Sequence, residues 1–183
     1  MNLREYFDIG LTAAAYTQLL NDDQTDLHKL YERRASIDST HVEAIKAAGP
    51  HNILIVTEPW CGDSLAIFPV VTKFLTAAGF PIRIILRDEH PHLIDRFLTN
   101  GGRAIPIVIV ADAEFEERFH WGPRPAEAQA MVTESKAAIE AGETDKAEVH
   151  KLVRGFYARN CGAAVVSELA AKFADSRIER AVD

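Results

Sequence analysis

An unbroken apolar run, Ile53-Leu54-Ile55-Val56, is followed at once by Trp60-Cys61-Gly62-Asp63-Ser64 and then by a helix-like segment from about Ser64 to Ala78. Residues 52–57 do not alternate apolar with polar. They carry the pattern of a strand covered on both faces. The segment after Cys61 places Leu65, Phe68, Val71, Phe74 and Leu75 at core spacing for a helix, with Pro69 inside it, where a kink is expected. A doubly covered strand needs helices above and below it, so an α/β architecture is the expectation.

The rest of the chain extends this alternation. Pro81 to Arg87 reads as a second strand and Pro91 to Thr99 as a short helix stopped by Asn100-Gly101-Gly102. Ile105 to Val110 is a third apolar strand. Asp112-Ala113-Glu114 then turns into Phe115-Glu116-Glu117-Arg118-Phe119, whose alternation suits an edge strand. Gly122-Pro123-Arg124-Pro125 is a loop, and a helix is expected over about 126–141. Residues 1–48 read as three helices. Thr12 caps the first, Asn21-Asp22-Asp23 breaks it, and Thr25 or Asp26 starts the second with Leu27, Leu30 and Tyr31 on one face. Ser39 or Thr40 caps the third, which ends near Gly49-Pro50. Near the other end Thr144 caps a helix with the stripe Val149, Leu152, Val153 and Phe156. A break at Asn160-Cys161-Gly162 precedes a last helix over about 163–174. The expected organisation is an N-terminal helical extension (1–49), a central domain (50–141) and a C-terminal helical extension (142–183), in one compact unit.

The net charge of −7 argues against nucleic acid or an anionic membrane as partner, since both reward a basic surface. No apolar run approaches the ~20 residues that span a bilayer, and Met1-Asn2-Leu3-Arg4-Glu5 does not open a signal peptide. A cytoplasmic location is expected. Two cysteines are too few for a disulfide framework. His90-Pro91-His92 lacks the spaced cysteines or carboxylates of a metal site, and Gly101-Gly102 lacks the context of a nucleotide-binding loop, so no metal and no cofactor is expected.

Cys61 stands at a strand-to-helix junction, where backbone N–H groups and the helix dipole favour an anion and a thiol becomes a nucleophilic thiolate. Ser64, one turn on, is near enough to donate its O–H to that sulfur. It cannot attack a mixed disulfide, so the motif has an attacking thiol and no resolving one. Asp63 stabilises the first helical turn, while its charge opposes a thiolate beside it. Glu58 reads as an exposed loop acid, and Cys161 as a structural cysteine far from the motif in sequence.

The element order, with Trp60-Cys61-x-x-Ser64 after the first central strand, resembles the thioredoxin superfamily. Arg103-Ala104-Ile105-Pro106 ahead of a strand and Gly122 after the strand pair are similar to its other landmarks. The flanking helices look like those of a bacterial branch of such proteins. The resemblance covers roughly residues 50–140. It implies a thioredoxin-like α/β fold, a central mixed sheet with helices on both faces, carrying the two helical extensions. It implies a cis Pro106 beside the sulfur, with Trp60, Gly62, Asp63, Ile105 and Pro106 binding the substrate and Cys61 and Ser64 carrying the chemistry. Where thioredoxins hold a buried aspartate six residues before the cysteine, this chain has Ile55, consistent with the missing second thiol.

The expected function is monothiol thiol–disulfide exchange, with Cys61 attacking a disulfide of a cysteine-containing protein or a low-molecular-weight thiol. The alternative is a non-catalytic binding module using Trp60 and Ile105-Pro106. A peroxidase is weaker, because Glu58 stands where peroxiredoxin-like sites carry threonine. The Gly-Gly-x-Asp of glutaredoxin-like glutathione sites is replaced by Ala111-Asp112-Ala113-Glu114.

Overall fold

The computed structural model describes residues 1–180; Ala181 to Asp183, the end of the expected C-terminal extension, lie outside the described residues. Four strands form one sheet: β1 (Asn52–Thr57), β2 (Ile82–Leu86), β3 (Ile107–Ala111) and β4 (Glu117–Trp121), in the order β2-β1-β3-β4. β1 runs parallel to β2 and antiparallel to β3, and β3 pairs antiparallel with β4. The helices are α1 (Leu3–Ile9), α2 (Ala13–Thr17), α3 (Asp22–Arg34), α4 (Ser39–Lys46), α5 (Gly62–Ala77), α6 (Pro91–Ile94), α7 (Ala126–Glu140), α8 (Lys146–Asn160) and α9 (Ala163–Arg180). The fold is thus the thioredoxin-like α/β arrangement that the sequence led us to expect.

The apolar run of β1 divides its side chains between two cores. Ile53 and Ile55 join Ile84, Val108 and Val110 against α5 and α9, with Phe74 and Phe173 fully enclosed. Leu54 and Val56 join Ile85, Ile107 and Ile109 on the opposite face, covered by Leu3 and Tyr6 of α1 and Leu93 and Ile94 of α6. Side chains of successive strand residues point to opposite faces, so a strand covered twice must be apolar throughout.

Several boundaries differ from the sequence reading. Asn21 starts α3 instead of breaking a helix: its side chain accepts from Gln24 N–H while Gln24 returns a bond to Asn21 N–H. That reciprocal cap satisfies two otherwise unpaired donors. α6 stops at Ile94 because the next amides turn back by three residues, Arg96 to Leu93 and Phe97 to Ile94. Asp145 caps α8 in place of Thr144, and Leu152 faces solvent while Tyr157 takes its place in the apolar stripe. The edge strand begins two residues late, since Asp112 Oδ1 accepts from Glu114 and Glu116 N–H and extends the turn.

Candidate functional site

The sheet register draws the separated landmarks together. Val56 at the end of β1 lies opposite Ile107, the first residue of β3. Ile105 and Pro106, which precede β3, therefore sit beside the loop that leads from β1 to Cys61. The Ile105–Pro106 peptide is cis. β4 ends with Trp121 opposite Val108, which brings Gly122 to the same end. Gly122 has φ of 126°, and a Cβ there would collide with the Pro106 carbonyl oxygen. Only glycine fits this approach of two backbones.

Cys61 is the N-cap residue of α5, with φ −82° and ψ 117°. Its carbonyl accepts from Leu65 N–H and its N–H donates to the Glu58 carbonyl. Its half-buried thiol donates to the Ile105 carbonyl at 3.5 Å. Trp60 beside it is 55% exposed, with the Arg87 guanidinium 4.6 Å above its ring.

Beneath the sulfur lies a set of enclosed polar groups. Ser64 is fully buried, and its hydroxyl has no hydrogen-bond partner. The expected O–H contact to Cys61 is not made, because Ser64 falls on the face of α5 that packs into the core. Burial, with the nearby Cys61 and Glu58 charges adding to it, pushes Tyr16 up to about 12. The neighbouring Thr57 hydroxyl offsets part of this, although Thr57 Oγ1 has no partner at full hydrogen-bond geometry. Glu58 is not an exposed loop acid but only 6% exposed. Burial raises its carboxyl above the ordinary glutamate value, and the hydrogen bond it accepts from Asp88 N–H at 2.8 Å opposes the shift.

On the other side Asp63 does more than start a helix. Its Oδ1 accepts from the Tyr157 hydroxyl at 2.7 Å and its Oδ2 pairs with Arg124 Nη2. Burial, then the Asp63 charge, drives the Tyr157 hydroxyl far above its usual range. Arg124 also donates to Gln129, while its Nε is buried without a partner. Between the start of α5 and α8 opens a cleft of about 390 Å³ lined by Cys61, Asp63, Arg124, His150, Arg154 and Tyr157 among others.

The structure thus gathers Trp60, Cys61, Gly62, Asp63, Ile105 and Pro106 at one end of the sheet and turns Ser64 inward. Sequence reading missed Arg124, Tyr157, His150 and Arg154. For His150, Arg154 and Tyr157 the one advance signal was their spacing, with Val153, on one face of a helix; Arg124, in the loop before α7, had none. Cys161 lies elsewhere. The α8–α9 corner packs through Gly162 against Val70, nine residues along α5 from Cys61, or roughly 13 Å at helical rise. Among the described residues no group of three or more His, Cys, Asp or Glu is placed to hold a metal ion, and no helix is long and apolar enough to cross a membrane.

No curated protein matches the chain in sequence. Two solved structures share the fold. An HIV epitope scaffold is 18% identical with a TM-score of 0.71, over 96% of this chain and 99% of its own. A Pseudomonas aeruginosa protein of unknown function is 20% identical with a TM-score of 0.65, over 89% of this chain and 99% of its own. The family pattern described as thioredoxin matches residues 10–138, taking in most of the N-terminal helices as well as the sheet, and the chain belongs to that thioredoxin family.

Proposed function

We propose that this chain is a monothiol thiol–disulfide exchange protein with Cys61 as its nucleophile. The Cys61 thiolate attacks one sulfur of a disulfide R–S–S–R′. A new S–S bond forms between Cys61 Sγ and the sulfur carried by R as the original S–S bond breaks, and R′–S⁻ leaves with the electron pair. An external low-molecular-weight thiolate then attacks the R sulfur and releases the Cys61 thiolate. The reducing equivalents come from that external thiol, since position 64 carries no sulfur. The observation that carries the reading is the half-buried Cys61 sulfur, held at the start of α5 against the Ile105 carbonyl with an open cleft beside it. Two free cysteines favour a reducing compartment, and the cytoplasm is the proposed location.

The test is reduction of a peptide–mercaptoethanol mixed disulfide with mercaptoethanol as regenerating thiol. Cys61→Ala should abolish the protein's contribution and Cys161→Ala should keep it. A Cys61→Ala protein as active as the parent sinks the reading. The exposed Trp60 favours a second reading, a binding module that holds a protein partner without chemistry. Partner retention that depends on Trp60 but not on Cys61 would select it.

A further inference from the structure

The cleft beside Cys61 carries cationic side chains on an acidic chain. On a protein of net charge −7 it is lined by Arg124, Arg154 and His150 against a single carboxylate, Asp63. Asp63 is committed to Arg124 and Tyr157. That leaves Arg154 and His150, both exposed and without a carboxylate within ion-pair range among the described residues. The two stand one turn apart on α8, above Val153 and Tyr157, which supply an apolar floor. None of the helix-face neighbours of Arg154, His150, Lys151, Tyr157 and Ala158, is acidic, so no α8 neighbour quenches the guanidinium.

Resting on the exchange reaction above, we propose that the α5–α8 cleft selects an acidic low-molecular-weight disulfide for Cys61, with Arg154 and His150 taking its anionic group. The volume is in the range that holds a small ligand, about 300–1,000 Å³. With Asp63 and Arg124 neutralising each other, the Arg154 guanidinium leaves the cleft net positive, which focuses the field on an approaching anion and raises its local concentration. A planar guanidinium binds a carboxylate through two parallel N–H bonds, which orients the ligand as well as attracting it. The Asp63–Tyr157 bond ties α8 to the turn that carries Cys61, so anion site and sulfur keep a constant separation. Arg154 and His150 are positioning residues; the bond-making sulfur remains Cys61.

The experiment compares rates of Cys61 mixed-disulfide formation with glutathione disulfide (anionic), hydroxyethyl disulfide (neutral) and cystamine (cationic), read by peptide mass mapping that separates Cys61 from Cys161. The wild type should prefer the anionic probe, and the preference should shrink as salt rises. Arg154→Gln should lower the anionic-to-neutral rate ratio about threefold to fivefold, the upper scale of one exposed charge contact, and Arg154→Lys should restore part of it. The ratio cancels any change in the nucleophilicity of Cys61. Equal rates with all three probes at low salt, or a ratio indifferent to Arg154→Gln, would overturn the selectivity while leaving exchange intact. No Cys61 reaction with any probe would overturn exchange and selectivity together.

Discussion

The Tyr157 hydroxyl donates to Asp63 Oδ1 at 2.7 Å across 94 residues of sequence, joining α8 to the first turn after Cys61. Tyr157→Phe removes that bond and keeps the ring. It should destabilise the protein by about 1.5–3 kcal/mol, the range for a hydrogen bond to a charged group. The melting temperature should fall about 2–4 °C per kcal/mol at this chain length. Urea unfolding measures it, and an unchanged midpoint would mean that the bond contributes nothing.

Asp63 and Arg124 form a largely buried ion pair, with side chains 14% and 17% exposed. Removing one partner strands the other charge, so Asp63→Ala and Arg124→Ala should each cost about 3–5 kcal/mol. The double substitution should cost less than their sum, with a coupling of about 0.5–3 kcal/mol. Additive losses in denaturant titrations of all four proteins would contradict a coupled pair.

Gly122→Ala forces a Cβ into the Pro106 carbonyl at φ 126°. A loss of at least about 1–3 kcal/mol is expected from the backbone conformation alone. Because Ile105-Pro106 flanks the sulfur, iodoacetamide labelling of Cys61 should change relative to that of Cys161. Labelling and stability both equal to wild type would show that the loop accommodates the side chain.

Glu58 gives a pH signature. Its folded-state value is raised by burial, so it binds its proton more tightly in the folded chain than in the unfolded one. Its favourable contribution is full below the unfolded value and is lost as pH rises through the folded value. Glu58→Gln should therefore gain in melting temperature relative to wild type as pH climbs from the acid side of the carboxylate range to neutrality. A difference that stays constant over that window would exclude a raised Glu58.

Ser64→Ala replaces a fully buried hydroxyl that has no partner. Such a group costs about 1–3 kcal/mol to desolvate, so the substitution should be neutral or stabilising in urea unfolding. A clear destabilisation would reveal a partner for the hydroxyl.

Much of the fold was legible from local pattern. The all-apolar β1, the helix after Cys61 and the apolar β3 carry their own periodicity, which depends on near neighbours in the chain. The starts of α3 and α8 were read wrongly because Asn, Asp and Thr all serve as caps, and which side chain reaches an amide is decided by geometry. Of the site, Trp60, Cys61 and Ile105-Pro106 could be named because they form short contiguous motifs. Arg124, His150, Arg154 and Tyr157 could not, since nothing in their own segments marks them as neighbours of a cysteine.

The sequence alone determined a doubly covered sheet, a cysteine where a strand hands over to a helix, and the absence of a second sulfur at position 64. These are properties of residue type and short spacing. Tertiary structure decided the rest. Strand register set Pro106 and Gly122 beside the sulfur, packing turned Ser64 inward and closed water off from Glu58, and the return of α8 laid the helix face that carries Arg154 and His150 against the start of α5. Such environments arise only when distant segments exclude solvent together, because burial and charge proximity are properties of the assembled fold.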